Sequence, residues 1–455
     1  MFFDNFQCYT NVTLKSLVIK GGDFSHTSNK RKRIFNSQGG KNMIHFKSKA
    51  LQRWVVLIVV SLVGGMITKL PYLKDIYFST LQAATGTTKT QLGLLLTMYG
   101  LMNFICYFPG GMLADKISPK KLIVFSCFGT GAVGLWYATL PGYTSLLIIH
   151  ALFGITTVFT FWASMVKITN NLGNEDEQGK LFGFLEGGRG LVGTLIALAS
   201  VFVFSQFVDE TKGLSGAIVF YSVMMIVGGI LVILFVQDPK ISEEDVSTVS
   251  LEDFKAVAKI PRVWLCGLIV ACNYLAVMIF GYLTPYLTEV YSMSSSSAAL
   301  LGVFRAYVMM MVGSLFGGLM SSKMKSVIRF MHYGFIGMTI FSFSYLLIPV
   351  NRGMLPIVVV NFVLQGLFLL AVKALYFAPI DEIGISKKLA GTASGIISVV
   401  GYSPEIFGYT AAGSILDNNP GVTGYNILFI ITGCLSIIGF VLVIILKLNN
   451  RKRLQ

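Results

Sequence analysis

Gly110-Gly-Met-Leu-Ala-Asp-Lys-Ile-Ser-Pro-Lys-Lys121 lies between two long apolar segments. Asp115, Lys116, Lys120 and Lys121 crowd into one short stretch of it. Each charge is expensive in hydrocarbon, so four of them cannot sit inside one membrane span without partners or water. The stretch reads as a tight, charged turn at a membrane surface, with a membrane helix entering on one side and leaving on the other. Any basic membrane loop would carry similar charges, so the surrounding chain has to decide what kind of membrane protein this is.

Of the 455 residues, 54% are hydrophobic and 13% charged, and the mean hydropathy is +0.71. A soluble domain carries roughly 25% charged residues, so the chain belongs to the membrane-embedded class. The net charge of +15 raises nucleic acid as a partner, but the distribution of that charge (below) explains it otherwise. The six cysteines are scattered and the four histidines dispersed. Neither set has metal-ligand spacing or the look of a disulfide framework, so no metal and no cofactor are expected. No nucleotide-binding phosphate loop is present, which argues against direct ATP drive. A membrane enzyme would need a nucleophile with a base, and none stands out.

Residues 1–50 are polar and basic, with nine Lys/Arg against Asp4 and Asp23, and contain no apolar core of signal-peptide length. They read as a disordered cytoplasmic tail. Its run Lys30-Arg-Lys-Arg33 could meet acidic lipid, and Met43 is a candidate natural start. Twelve apolar segments of about 20 residues or more follow. They are α1 (53–74), α2 (91–112), α3 (121–140), α4 (144–168), α5 (181–206), α6 (215–237), α7 (262–288), α8 (297–320), α9 (327–349), α10 (354–379), α11 (389–413) and α12 (424–446). The polar break at 238–261 divides them six and six. The expected organisation is a tail at 1–50, bundles at 51–237 and 262–447 joined by a cytoplasmic linker at 238–261, and a basic tail at 448–455. With the N-terminus inside, the inner loops and tails hold 28 Lys/Arg and the outer loops 4. That bias places both termini in the cytoplasm and accounts for the net charge without nucleic acid.

The two halves look like copies. Pro71-Tyr-Leu-Lys-Asp-Ile-Tyr77 in α1 matches Pro285-Tyr-Leu-Thr-Glu-Val-Tyr291 in α7 at an offset of 214. Gly110-Gly-Met-Leu113 recurs as Gly317-Gly-Leu-Met320 at 207, and Gly183/Gly187 recur as Gly391/Gly395 at 208. The change of offset suggests a shorter first outer loop in the second half. The small-xxx-small glycines suggest close helix contacts.

Gly111, Leu113, Ala114, Asp115 and the pair Lys120/Lys121 resemble the loop signature of the major facilitator superfamily, with Lys116 in place of the usual Arg and Ser118-Pro119 departing from the pattern. The resemblance implies an all-α membrane protein of twelve transmembrane helices in two pseudo-symmetric six-helix bundles. It further implies that Gly111, Asp115, Lys116 and Lys120 form a conformational latch between α2 and α3. Duplicated transporters carry substrate between the halves near the midplane. Leu181-Phe-Gly-Phe-Leu-Glu-Gly-Gly-Arg-Gly190 is similar to a bacterial branch related to sugar-phosphate/phosphate antiporters.

Intramembrane charges point to the site, because each needs water, a partner or a ligand. They are Lys69 in α1, Glu186 and Arg189 in α5, Arg305 in α8, Lys373 in α10 and Glu405 in α11. In the family these helices can face the cavity, whereas α3, α6, α9 and α12, which carry no interior charge here, face lipid. Arg189 and Arg305 each lie eight residues into their spans, about 12 Å deep at 1.5 Å per residue, and form the expected central site. Lys69, Lys373, Tyr72 and Tyr286 are candidate additional ligands, Glu186 and Glu405 candidate proton carriers. The plain alternatives are pairs: Glu186 with Arg189 at i, i+3, Arg305 with Glu405, and Lys373 with Asp381 or Glu382. Lys69 could simply snorkel outward, and His150 reads as a packing residue. Four interior cations against two carboxylates favour an anionic substrate. If an anion occupies Arg189, Glu186 is freed to take a proton, a physical route to coupling.

The reading is a secondary active transporter in the bacterial inner membrane, not an enzyme. It moves a small organic anion by alternating access with proton coupling or exchange, and works as a monomer. The phosphate-ester antiporters place cations on helices 1 and 7, but α7 has no interior charge. A sugar acid or similar carboxylate is therefore as open as a sugar phosphate. A neutral-sugar or drug transporter, or a transporter-like ligand sensor, is the alternative.

Overall fold

The computed structural model describes residues 48–173, 177–237, 251–386 and 389–454. The Lys30–Arg33 run, the Met43 start and linker residues 238–250 lie outside the described residues. Twelve helical spans and no strand are found among the described residues. In observed bounds, α1 comprises Lys49–Met66 and Lys74–Thr85 joined by turns, α2 is Lys89–Lys116, α3 Pro119–Tyr137 and α4 Tyr143–Asn170. They are followed by α5 (Gln178–Ser205), α6 (Glu210–Phe235), α7 (Pro261–Tyr291) and α8 (Ser295–Lys323). The chain closes with α9 (Val327–Leu347), α10 (Arg352–Ala374), α11 (Ala390–Tyr402 continuing as Gly408–Asn418) and α12 (Val422–Leu454). A short helix, Leu251–Ala258, precedes α7.

The charged stretch Gly110–Lys121 folds around a two-residue turn. α2 ends at Lys116, Ser118 Oγ accepts from Lys121 N at 3.2 Å, and Pro119 takes the first helical position of α3, where its missing N–H is harmless.

The end of α1 differs from expectation. Its helix resumes at Lys74 and runs to Thr85, where Gly86 turns left-handed at φ 64° and Thr88 opens α2 with a capping box to Gln91. Lys74 and Asp75 are therefore inside the span, not in an outer loop. The loops 86–88 and 292–294 are equally short. The slip in repeat offset comes from about two extra turns of α1, not from a shorter loop in the second half.

Within the first half α1 packs on α5 and α6, α2 on α4, and α3 on α6. In the second half α7 packs on α11 and α12, α8 on α10, and α9 on α12. The glycines at the α1–α5 seam are not the predicted pair. Gly183 and Gly187 have no neighbour within 4 Å, while a Cβ on Gly65 would stand 2.7 Å from Arg189 O and one on Gly188 2.8 Å from Ser61 Cβ. Gly188 and Gly193 meet α1 instead, at Ser61 and at Gly65 and Lys69.

The halves meet between the midplane and the face opposite the charged turn. There α2 lies on α11, α8 on α1 and α5, and α7 on α1. Gly93 and Gly413 make the α2–α11 contact possible, since a Cβ on either would run into the carbonyl of Tyr409 or Lys89. Toward the basic face, the segments Met309–Lys323 of α8 and Ala390–Tyr402 of α11 find their packing partners in their own half. The space between the halves is thus sealed at the face opposite the charged turn, and among the described residues no comparable packing joins the halves toward the basic face.

Candidate substrate site

Five spans lose regular helical geometry. α1 unwinds over 67–73 around Pro71, α7 kinks at Gly281-Tyr282, and α11 tightens into a 3₁₀ turn over Ser403–Ile406 at Pro404. α4 and α8 hold π turns at Ile155–Phe159 and Phe304–Val308. Irregular backbone at membrane depth persists where it is buried in protein or lines a cavity, and π turns are frequent at functional sites. The breaks in α1, α7, α8 and α11 converge on one cluster of charges.

Arg305, 8% exposed, projects from the α8 π turn to the α1 break. Its Nη2 donates to Asp75 O at 3.3 Å and stands 3.7 Å from Asp75 Oδ1. Its Nε is buried and finds no acceptor among the described residues. Lys74 Nζ donates to the same Asp75 Oδ1 at 3.2 Å and lies 4.4 Å over the Tyr409 ring and 5.0 Å over that of Tyr282. Tyr282 OH in turn donates to Tyr409 O at 2.8 Å. Gly281 leaves room beside them, an added Cβ there standing 3.7 Å from both Arg305 Nη1 and Asp75 Oδ1. Two cations thus share one carboxylate, and part of the guanidinium fork has nothing to hold.

Glu405 is buried at the α11 break, where it accepts from Tyr72 OH at 2.9 Å and packs on Gly100 of α2. Lys373 lies within electrostatic reach of both Asp75 and Glu405. Lys69 is buried and donates to Tyr307 OH of α8, with its ammonium 3.9 Å over that ring. Lys69 therefore bridges the halves instead of snorkelling outward. Tyr99 packs edge-on against Tyr72 at 5.4 Å and bonds Thr157 within the α4 π turn.

The two predicted central arginines do not share a site. Arg189 Nη1 holds Glu186 at 2.7 and 2.9 Å, its Nε donates to Gly64 O at 3.2 Å, and its guanidinium lies 5.1 Å over Trp162. Arg189 is anchored on Gly64 and Arg305 on Asp75, eleven residues apart on α1 with the break at 67–73 between them. Arg189 and Glu186 form the i, i+3 pair, toward the basic face. Arg305 is paired with Asp75, not with Glu405. Glu382 caps α9, accepting from Ser326 Oγ, Val327 N and Ile328 N; the Asp381 side chain lies outside the described residues. Tyr286 packs among Tyr291, Tyr345, Tyr425 and Phe429 and belongs to the core. His150 bonds Leu146 O at 2.8 Å as a packing residue.

At the predicted latch, Lys120 Nζ donates to Ile233 O of α6 at 2.9 Å, and Lys167 of α4 to Ala114 O at 3.1 Å. Lys116 is exposed. Gly110, rather than Gly111, makes the tight approach, to Phe159 O of α4 at 2.6 Å for an added Cβ. The Asp115 side chain lies outside the described residues. Sequence reasoning missed Lys74, Asp75, Tyr282 and Tyr409. The available signal was the strong pair of boundary marks at Gly86 and Thr88, which place the end of α1 a full eleven residues beyond Lys74.

At the sealed face, Asp417 at the end of α11 accepts from Lys89 N at 3.0 Å, Thr90 N at 2.7 Å and Thr90 Oγ1 at 2.6 Å. It caps the start of α2 from the other half, where the helix dipole favours an anion. Lys89 Nζ holds Glu289 at 2.6 Å, and Ser79 bonds Thr288 at 2.8 Å. Asp417→Asn removes charge from the cap and is expected to weaken the seal by about 1 kcal/mol. That corresponds to roughly five-fold faster labelling of a cysteine at Thr97 by a membrane-impermeant maleimide. Unchanged labelling would show that the cap does not hold this face.

A twelve-helix duplicated architecture, with irregular and charged helices at the centre of the bundle, has counterparts among known proteins. The model of the Major Facilitator Superfamily matches residues 50–409. The chain belongs to the major facilitator superfamily. It is accordingly a membrane transporter for small molecules. The Escherichia coli inner membrane protein YihN is 30% identical over 411 residues, covering 88% of this chain and 97% of its own length. The E. coli inner membrane protein YqcE is 32% identical over 386 residues, covering 82% and 90%. Among solved structures, a bacterial homologue of the human lysosomal transporter Spinster, inward-facing and occupied, superposes with a TM-score of 0.67 at 13% identity over 88% of this chain and 97% of that one. A point mutant of the nucleoside transporter NupG gives 0.66 at 13% identity over 88% and 100%. Both share the superfamily fold with this chain.

Proposed function

We propose that this superfamily member transports a small organic anion by alternating access, with the anion held at Arg305 and Lys74. The observation that carries the reading is the guanidinium of Arg305, buried between the halves with its Nε unpaired among the described residues. Lys74, Arg305 and Lys373 stand around Asp75 and Glu405. Three cations against two carboxylates leave a surplus of one positive charge at this cluster, with Glu186 and Arg189 paired to each other. An anionic group with two oxygens suits the fork of a guanidinium. Tyrosine rings and hydroxyls from Tyr72, Tyr282 and Tyr409 suit a hydroxylated carbon skeleton. Sugar acids and sugar phosphates both meet this description. The lack of an interior cation on α7 favours the carboxylate.

Glu405 is the better proton carrier of the two candidates, since it bonds the neutral hydroxyl of Tyr72, whereas Glu186 is bound to the cation of Arg189. The basic face is the cytoplasmic face by the Lys/Arg bias, which makes this conformation open inward and sealed outward. On that orientation both termini are cytoplasmic and the membrane is the bacterial inner membrane. Domains at 51–237 and 262–447 would rock about the site, with Gly111, Asp115, Lys116 and Lys120 latching the cytoplasmic side when it closes. A monomer suffices.

Thermal-shift binding of the purified protein to sugar acids, sugar phosphates and neutral sugars tests the reading. Anions are expected to raise Tm by several degrees and neutral sugars not at all. Equal stabilisation by neutral sugars would overturn it.

A further inference from the structure

Outside the central space, on the flank of the second half, the surface carries a groove. It has a volume of about 400 Å³ and runs between the first turns of α7 and the last turns of α12. Pro261, Trp264, Leu265, Leu268 and Ile445 line it, and Lys259 and Asn449 stand at its rim. Among the described residues no acidic side chain lines it. Trp264 is 44% exposed and Leu268 45%, although both lie in an apolar span, so the groove faces the bilayer rather than the protein interior. Trp264 is fixed in its pose by a hydrogen bond from Nε1 to Ala258 O at 2.8 Å. From Pro261 to Leu268 the groove reaches about 10 Å along the helix, from the headgroup level into the upper acyl region. Lys255 is exposed on the Leu251–Ala258 helix that leads into it.

We propose that this groove binds an anionic diacyl phospholipid of the basic-face leaflet, with one acyl chain between Trp264 and Ile445 and the phosphate at Lys259 and Asn449. The apolar floor selects a hydrocarbon chain. The cationic rim with no opposing carboxylate among the described residues selects an anionic headgroup over a zwitterionic one, and an indole suits the interface between them. The occupant stands at the joint where the Leu251–Ala258 helix turns into α7. The site is independent of the substrate reading.

The full chain reconstituted in phosphatidylcholine vesicles containing brominated phosphatidylglycerol, or brominated phosphatidylcholine at the same mole fraction, provides the test. The Trp264 signal is the difference between wild type and Trp264→Phe. It should be quenched at about five-fold lower mole fraction by the anionic lipid. Lys259→Gln should abolish that preference while leaving quenching by phosphatidylcholine unchanged. Equal quenching by the two headgroups would overturn the proposal and leave the groove with ordinary boundary lipid. As a readout that does not need Trp264→Phe to fold, Ile445→Trp should fill the groove and remove one phosphatidylglycerol adduct in native mass spectrometry. An unchanged adduct count would likewise overturn it.

Discussion

Arg305→Gln is expected to lower affinity for the transported anion by about 30- to 1000-fold, the roughly 2–4 kcal/mol typical of losing one member of a buried charged hydrogen-bond pair. Binding and transport should fall together, because the guanidinium would contact substrate in every conformation. Arg305→Lys keeps the charge but loses the planar fork, so it should recover only part of the affinity. Removing the guanidinium also strips from Asp75, a partly buried carboxylate, one of the cations that offset its desolvation. Asp75→Asn combined with Arg305→Gln should therefore restore thermal stability without restoring binding. Arg189→Gln is the contrast. It uncouples Glu186 and the Gly64 carbonyl, so Tm should fall while the remaining folded protein keeps its affinity. If Arg189→Gln abolished binding and Arg305→Gln did not, the site would have to move toward the basic face.

Gly413→Val should have the second large effect, on conformation rather than affinity. A side chain at Gly413 collides with the Lys89 carbonyl at the α2–α11 seal. Overpacking of this kind costs about 1–3 kcal/mol, and the cost falls only on the conformation in which that face is sealed. The population should shift roughly five- to more than one-hundred-fold toward the open state. A cysteine at Ser79 or Thr97 should then label rapidly from the face that is closed in this structure, and uptake should collapse although the protein remains folded. Gly93→Ala, against the Tyr409 carbonyl on the same seam, provides a milder variant. Labelling that stays slow in both would mean that the α2–α11 contact is not part of the moving seal.

Much of this architecture was legible because bilayer thickness imposes a strong, periodic signal on the chain. The spans α2 to α12 follow from hydropathy and the break in α11 from the proline at 404. The start of α3 at Ser118-Pro119, two residues before the expected bound, was marked by a cap that the loop reading passed over. The end of α1 misled, because adjacent Lys74 and Asp75 look like a membrane surface when no partner is in view. Across the interface Arg305 supplies that partner, and the helix continues. The π turns at Ile155–Phe159 and Phe304–Val308 left no mark in composition. The choice of partner was equally hidden: Arg305 faces Asp75 and Glu405 faces Tyr72 because of how two halves 200 residues or more apart are docked. Arg189 with Glu186, three residues away on one helix, needed no such knowledge.

Anion exchange in proteoliposomes tests the central claim most directly. Vesicles holding wild-type protein and loaded with an unlabelled sugar acid that raises Tm should accumulate the same labelled compound by counterflow. An excess of neutral sugar outside should not compete, and Arg305→Gln vesicles should show no accumulation. Counterflow that neutral sugars inhibit as well as anions do, or that persists undiminished in Arg305→Gln, would contradict an anion site at Arg305.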